Sequence, residues 1–137
     1  MHRVLVVAAV PAACLVLATA AFAAVIRGDS GPDVLRGTQG ADQMYGLGGA
    51  DRLTGRGGSD TLYGNSGADR LFGSAGSDTL YGGSGADRIT GGSGSDRISG
   101  GSGADRVYAR DGSRDVIDCG SGNDRAQADA NDIVRDC

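Results

Sequence analysis

The chain has 137 residues, a formal net charge of −4 from 13 Arg and Lys against 17 Asp and Glu, and 26 glycines. Every basic residue is arginine, every acidic residue is aspartate, and all glycines lie at or after Gly28. Average glycine usage is about 7%, so this enrichment needs an architectural cause. The few aliphatic residues after residue 24 exclude a broad globular core. Arginines that alternate with aspartates predict cations, and not nucleic acid, as partners.

Residues 1–24 have the composition of a signal peptide. His2 and Arg3 precede an apolar run that is interrupted by Pro11, and Ala21-Phe22-Ala23 has the small residues that a cleavage site requires. We expect cleavage near Ala23 or Ala24, a secreted, extracellular product, and no membrane association afterwards. The alternative is an uncleaved anchor, because residues 4–26 approach the roughly 20 apolar residues that span a bilayer.

Residues 25–108 repeat with a period of nine. An aspartate recurs without a slip, a glycine lies two residues before it, and one apolar side chain lies two residues after it. The aspartates are Asp33, Asp42, Asp51, Asp60, Asp69, Asp78, Asp87, Asp96 and Asp105. A unit with one apolar centre makes a very short strand, and its glycines allow a sharp turn. Such units bury a continuous core only when they stack.

A second period, twice as long as the first, indicates how the units stack. Ala-Asp-Arg recurs at Asp51, Asp69, Asp87 and Asp105, whereas Asp60 and Asp78 lie in Ser-Asp-Thr. The fold class predicted is therefore all-β: a parallel β-roll, or two-sheet β-solenoid, with two repeat units in each coil. Equivalent residues of successive coils then form rows, with Tyr45, Tyr63 and Tyr81 outside one sheet and Arg52, Arg70, Arg88 and Arg106 outside the other. Either row could bind a surface or glycan, or be cross-strand packing with arginines beside solvated aspartates.

Residues 82–107 read GGSGADRIT, GGSGSDRIS and GGSGADRV, and earlier units keep the first glycine, the glycine before aspartate, the aspartate and the apolar residue. These residues resemble the RTX, or haemolysin-type, calcium-binding nonapeptide GGxGxDxUx. The resemblance implies that each aspartate carboxylate binds calcium and that turn glycines add backbone carbonyls. The implied glycines of the best-matched turns are Gly82, Gly85, Gly91, Gly94, Gly100 and Gly103.

Stacking alone also favours a cation in the turns. Aspartates one coil apart lie roughly 5 Å apart, where like charges repel by about 3 kcal/mol at an effective dielectric near 20. Calcium accepts six to eight oxygens in flexible geometry, whereas magnesium demands a tight octahedron. Pairing each aspartate with its equivalent in the next coil predicts about seven calcium ions. The alternative is a metal-free solenoid whose aspartates cap the turns.

The pattern changes in residues 109–137, where Asp105, Asp115, Asp124 and Asp132 are spaced by ten, nine and eight. We expect a terminal cap that closes the core. An exported chain with the even pair Cys119 and Cys137 predicts a disulfide, with two free thiols as the alternative. Calcium binding by Asp111, Asp115, Asp124 and Asp132 stays open because of the slips in spacing.

These features predict a secreted calcium-binding protein that folds on binding calcium, and not an enzyme. No histidine remains after cleavage to act as a general base, and the chain contains no lysine. The alternative is a calcium-stabilised adhesive or cell-surface scaffold that uses the tyrosine row. An ice-binding solenoid is disfavoured because Thr61 and Thr79 are flanked by tyrosines.

Overall fold

The computed structural model describes two short strands within the first 21 residues and the continuous chain from residue 22 to residue 137. In chain order the strands are β1 (Leu5–Val7), β2 (Leu15–Leu17), β3 (Ala24–Arg27), β4 (Val34–Arg36), β5 (Gln43–Gly48), β6 (Arg52–Gly57), β7 (Thr61–Ser66), β8 (Arg70–Ala75), β9 (Thr79–Ser84), β10 (Arg88–Ser93), β11 (Arg97–Ser102), β12 (Arg106–Tyr108), β13 (Val116–Ser121), β14 (Arg125–Gln127) and β15 (Ile133–Arg135). The described residues contain no helix.

The strands form two parallel sheets that the chain visits alternately. The first sheet contains the eight odd-numbered strands in the order β1-β3-β5-β7-β9-β11-β13-β15, and the second contains the seven even-numbered strands from β2 to β14. Through the repeats the registers pair equivalent residues of successive coils, as in Leu62 with Leu80 and Leu53 with Leu71. The predicted β-solenoid, with two repeat units in each coil, is confirmed.

The core is a double row of single apolar side chains. Each strand from β4 to β11 alternates buried positions with exposed or half-buried ones, and the apolar residue two after each aspartate points inwards. Those of the first sheet are Met44, Leu62, Leu80, Ile98 and Ile117, with Ile26 extending the row into β3, and those of the second are Leu35, Leu53, Leu71, Ile89 and Val107. Each is at most 3% exposed, so the narrow core is continuous along the stack.

Two turn positions adopt the left-handed backbone that favours glycine. The first is the glycine two residues before each repeat aspartate, from Gly49 onwards, as in Gly85 with φ of 119°. The second is the second residue of most units, as in Gly83 with φ of 108°. In earlier coils that second position is not glycine: Leu47, Arg56, Asn65 and Ser74 have φ between 74° and 90°. The turn therefore imposes its shape even on residues that are strained by it.

The stack continues through residues 109–137 despite the irregular spacing. Arg97 pairs with Val116 and Arg106 with Arg125, each one residue further along the chain than in the repeats, and Val116 then pairs with Ile133, one residue nearer. The slips are absorbed in the turns, and the strands stay parallel. Cys119 and Cys137 form the predicted disulfide, with their Cα atoms 5.0 Å apart.

The predicted signal peptide falls almost wholly outside the described residues. Its two described strands pair with strands of the roll: β1 pairs with β3, and β2 pairs with β4, both in parallel. In the described part of the chain no helix has the length and apolar character needed to cross a membrane.

Candidate metal centres in the turns

The repeat aspartates form two buried columns along the stack. Each aspartate comes immediately before a strand, so its side chain turns in beneath the neighbouring coil. Ten aspartates are at most 2% exposed: Asp33, Asp42, Asp51, Asp60, Asp69, Asp78, Asp87, Asp96, Asp105 and Asp115. Burial of a carboxylate is costly in free energy unless both of its oxygens have partners. The partners of the two oxygens in each carboxylate therefore decide whether its burial is tolerated.

One oxygen of each carboxylate is bound by the preceding coil. The backbone N–H of Asp69 donates to Asp87 Oδ1 at 2.8 Å, and the N–H of Asp87 donates to Asp105 Oδ1 at 2.8 Å. The same bond recurs along both columns, from Asp33 N–H to Asp51 Oδ1 as far as Asp78 N–H to Asp96 Oδ1. These bonds fix each carboxylate and determine where its other oxygen points.

The other oxygen has no partner. Among the described residues, Oδ2 is buried without a hydrogen bond in Asp51, Asp60, Asp69, Asp78, Asp87, Asp96, Asp105, Asp115 and Asp124, as is Oδ1 of Asp33. Buried polar atoms in folded proteins are almost always satisfied, and a series of identical exceptions demands a cause.

Six of the unpartnered oxygens face a backbone carbonyl across the first glycine of the unit, those of Asp51, Asp60, Asp69, Asp78, Asp87 and Asp105. A methyl carbon built on Gly82 would lie 2.5 Å from Asp87 Oδ2 and 2.5 Å from the carbonyl oxygen of Gly100. One built on Gly64 would lie 2.5 Å from Asp69 Oδ2 and 2.5 Å from the carbonyl oxygen of Gly82. Each of these gaps is thus bordered by a carboxylate oxygen of one coil and a carbonyl oxygen of the next, and the carboxylate oxygen has no hydrogen-bond partner.

Burial raises the pKa of the carboxyls of Asp51, Asp60, Asp69, Asp78, Asp87, Asp96, Asp105 and Asp115. It brings the pKa of Asp60, Asp87 and Asp96 to about 7 and that of Asp51 to about 6. The hydrogen bond from the preceding coil opposes this effect, and the neighbouring carboxylates above and below add to it. Without a counterion, the columns therefore hold negative charge poorly at neutral pH.

The donor set fits calcium. In the described residues no three His, Cys, Asp or Glu side chains converge on one point, so a site must combine carboxylate with backbone oxygens. Oxygen-only ligands on flexible turns suit calcium, while the absence of nitrogen or thiolate in them disfavours zinc.

A comparison with family models decides the assignment. The model of the RTX calcium-binding nonapeptide repeat matches residues 27–62, 45–80, 63–98, 81–116 and 90–126, which together cover more than half of the chain. The chain belongs to this RTX family. Comparisons with curated proteins and with solved structures found no match.

The structure separates the RTX glycines expected to supply carbonyls into two sets. The carbonyl oxygens of Gly82, Gly91 and Gly100, the first residues of their units, face the carboxylates of Asp69, Asp78 and Asp87. The other set lies beside the neighbouring coil: methyl carbons built on Gly85, Gly94 and Gly103 would meet the carbonyls of Gly67, Gly76 and Gly85. These glycines therefore pack against the backbone of the preceding coil, and no aspartate oxygen is among their nearest atoms.

The two N-terminal RTX turns differ from the others. Thr38 donates its backbone N–H to Asp42 Oδ2 at 2.6 Å, and its hydroxyl lies 3.0 Å from Asp42 Oδ1. In the preceding turn Asp29 donates its N–H to Asp33 Oδ2 at 2.7 Å. Protein donors therefore occupy oxygens that other turns leave unpartnered, and a cation has less to gain there.

Two aspartates in the region of irregular spacing continue the columns. Asp96 N–H donates to Asp115 Oδ1 and Asp105 N–H donates to Asp124 Oδ1, each at 2.8 Å, and both Oδ2 atoms lack partners. The carbonyl of Cys119 replaces the usual glycine carbonyl opposite Asp105 Oδ2. The sequence signal was the spacing of ten, nine and eight, whose deviations from nine cancel over the three intervals from Asp105 to Asp132.

The outer rows of the RTX roll are present as predicted. The rings of Tyr45 and Tyr63 stack 5.0 Å apart, and those of Tyr63 and Tyr81 stack 4.9 Å apart. Burial between its neighbours raises the pKa of Tyr63. The repeat aspartates are buried, whereas the arginines that follow them in the sequence are exposed.

Proposed function

We propose that this RTX protein is secreted and folds into its β-roll when calcium binds between successive turns. The observation that carries the proposal is the series of buried Oδ2 atoms without partners, six of which face a backbone carbonyl of the next coil. Calcium supplies the positive charge that brings such oxygens together. The turns of Asp87, Asp96 and Asp105 match the repeat best and should hold the strongest sites. An unpartnered carboxylate oxygen and a facing glycine carbonyl are both in place at Asp51, Asp60, Asp69, Asp78 and Asp87.

The chain's own residues couple binding to folding. In an unfolded chain the aspartates of one column are separated by a whole coil of glycine-rich backbone, whose ordering carries a large entropic cost. The hydrogen bond from one coil to the next carboxylate positions Oδ2 only when the coils are stacked. A ligand that binds only the stacked state stabilises it by mass action, and several sites add their contributions. Extracellular modules typically bind calcium at about 10⁻⁴–10⁻³ M, so the chain would stay unfolded in a calcium-poor cytosol.

Circular dichroism during a calcium titration tests this proposal, with magnesium as the matched control. We expect a cooperative gain of β signal with calcium, no equivalent gain with magnesium, and reversal by a chelator. A roll that is already complete in excess chelator would contradict coupled folding. Mass spectrometry of the exported product tests the signal peptide, with a mature N-terminus near residue 24 as the expected result.

A second candidate function is an adhesive scaffold at the cell surface, and the tyrosine row favours it. Three rings stacked within 5.0 Å make a continuous aromatic strip, and Tyr81 at its end is 41% exposed. Replacement of Tyr45, Tyr63 and Tyr81 by serine separates the two functions. If the strip is adhesive, calcium-dependent folding survives and binding to a surface or glycan is lost.

A further inference from the structure

Folding sorts the charges of this chain by depth. All twelve arginines of residues 22–137 are exposed, whereas ten of the 17 aspartates are buried in the turns. The sequence interleaves the two signs, so this separation exists only in the stacked roll. The surface field is therefore more positive than the formal net charge of −4 indicates.

Five of the arginines form one row on the outer face of the second sheet. The registers pair Arg52 with Arg70, Arg70 with Arg88, Arg88 with Arg106, and Arg106 with Arg125. Neighbouring strands are about 4.8 Å apart, so the row, hereafter the arginine row, presents a guanidinium group at each coil. All five side chains are exposed.

A second row on the same face alternates hydroxyl and aromatic side chains. It runs through Thr54, Phe72, Thr90 and Tyr108, which the same strand pairings align. Arg52 lies over the Phe72 ring, with its Cζ 5.1 Å from the ring centroid. Together the two rows place guanidinium groups, aromatic rings and hydroxyl groups side by side along the outer face of the second sheet.

Three shallow depressions lie along this face. One of about 310 Å³ is bordered by Arg52 and Arg70 near the N-terminal end, and one of about 260 Å³ by Arg106, Tyr108 and Arg125 near the C-terminal end. The third, also about 260 Å³, lies beside Thr90 and Tyr108. An extended ligand that follows the row would pass from one depression to the next.

We propose that the arginine row binds a linear acidic polysaccharide, and that it does so only in the calcium-bound roll. A guanidinium group is a planar fork that matches a carboxylate in bidentate geometry. A sugar polymer repeats its acidic groups along a line, while its ring faces and hydroxyls match Phe72, Tyr108 and the threonines. Phe72 and Tyr108 are separated by Thr90, an arrangement that does not offer successive bases of a nucleic acid a continuous stack.

The calcium dependence rests on the proposed function. Stacking aligns the arginines, and calcium in the turns removes the repulsion that the aspartates exert on an anion. Because each ion carries two charges, three calcium ions outweigh the formal net charge of −4, and every further ion makes the roll more positive.

Binding of a short galacturonate oligomer to the full chain tests the proposal, with a neutral dextran oligomer and a single-stranded oligonucleotide as comparisons. We expect galacturonate binding in calcium, none in chelator, and none of dextran at any calcium level. Weakening by salt is also expected, because the contacts are exposed charges. Tighter binding of the oligonucleotide than of galacturonate would overturn the choice of partner.

Two triple variants with the same change of charge locate the site. Arg70→Gln, Arg88→Gln and Arg106→Gln remove the centre of the row, and the control variant carries Arg27→Gln, Arg97→Gln and Arg135→Gln, which lie on strands of the first sheet. We expect the first to bind at least about tenfold more weakly and the second to bind almost normally, since only the first loses charge-assisted contacts. If both variants bind galacturonate equally weakly, binding depends on the overall charge and not on the arginine row, and the proposed site is overturned.

Circular dichroism of the same samples separates this inference from the proposed function. A chain that folds with calcium but binds no galacturonate overturns the arginine-row site and leaves calcium-coupled folding intact. A chain that folds and binds galacturonate equally in chelator overturns both the coupled folding and the calcium dependence of binding.

Discussion

At the residue scale, each repeat aspartate has a different task for each of its oxygens. From Asp51 to Asp105, Oδ1 accepts the N–H of the preceding coil, which makes it part of the stack, and Oδ2 has no partner within the protein. The first glycine of the unit keeps open the gap into which Oδ2 points, because any side chain there would fill it. The two residues are therefore coupled through shared space, although five positions separate them in the sequence.

Asp87→Asn tests the separate tasks of the two oxygens. Asparagine keeps an oxygen for the Asp69 N–H but loses the negative charge between Asp69 and Asp105. We expect the midpoint of the calcium titration to rise severalfold, while the calcium-free chain shows no less β signal, because a buried charge has been removed. Asp118→Asn, at an exposed position on β13, is the matched control and should change neither quantity. A calcium midpoint that is unaltered in Asp87→Asn would contradict the assignment.

Gly82→Ala tests the gap itself. The added methyl group would lie 2.5 Å from both Asp87 Oδ2 and the Gly100 carbonyl oxygen, closer than atoms of this kind approach. We expect a loss of several kcal/mol in the free energy of unfolding, because backbone and a fixed carboxylate must both shift. Gly48→Ala is the control, since its nearest contacts begin at 3.5 Å and should keep its effect within about 0.5 kcal/mol. Chemical denaturation in calcium measures both, and similar losses would show that the gap is not special.

At the element scale, each strand contributes one buried side chain and is stable only between two neighbours. The end of the stack is therefore its weakest part, because the last strand of each sheet has a neighbour on one side only. In the final coils the buried apolar residues become smaller or more exposed, with Ala126 half-buried and Val134 43% exposed. The disulfide between Cys119 in β13 and Cys137 after β15 compensates for this loss of core.

Replacement of Cys119 and Cys137 by serine tests this role. The bond joins cysteines at a sequence separation of 18, so its loss should cost about 3 kcal/mol in the free energy of unfolding. Urea denaturation in calcium measures the loss, and hydrogen exchange should show it concentrated in β13 to β15. Reductant should destabilise the unaltered protein to the same extent and have no effect on the variant. Equal protection of the terminal strands in both proteins would refute the role.

At the scale of the whole molecule, stability depends on how the two aspartate columns are neutralised. Calcium does this under the conditions we propose, and protons can do it in the absence of calcium. The folded pKa of Asp60, Asp87 and Asp96 is about 7, against 3.8 for an ordinary aspartate, so the folded state holds protons more tightly than the unfolded state. By linkage, the calcium-free roll gains stability as the pH falls from about 7 towards about 4.

We therefore expect the calcium-free protein to gain β signal, and to resist more urea, on acidification from about pH 8 to about pH 5. With saturating calcium the order should reverse, because protons then compete with calcium for the same carboxylates. Asp60→Asn should reduce the pH dependence in chelator, since one of the titrating groups is gone. A calcium-free protein that is more stable at the higher pH would show that the columns do not determine its stability.

Much of this architecture could be predicted because the repeat has few degrees of freedom. A nine-residue period with one apolar centre permits only short strands, and the doubled period requires two sheets and places Tyr63 beside Tyr81. The aspartates, the rows and the disulfide pair followed from the same regularity. The sequence could not indicate which oxygen of Asp87 is occupied, because that depends on an N–H contributed by another coil.

By itself, the sequence determined the solenoid, its coil length, its core residues and the family of its repeats, because all of these follow from periodicity along the chain. Only the tertiary structure decided the properties that depend on contacts between coils. It extended the columns to Asp115 and Asp124, showed that Thr38 satisfies Asp42, and separated the exposed arginines from the buried aspartates. The reason is physical: stacking brings together residues that lie a whole coil apart in the sequence, and hydrogen bonding, burial and local charge are properties of those neighbours and not of the repeat alone.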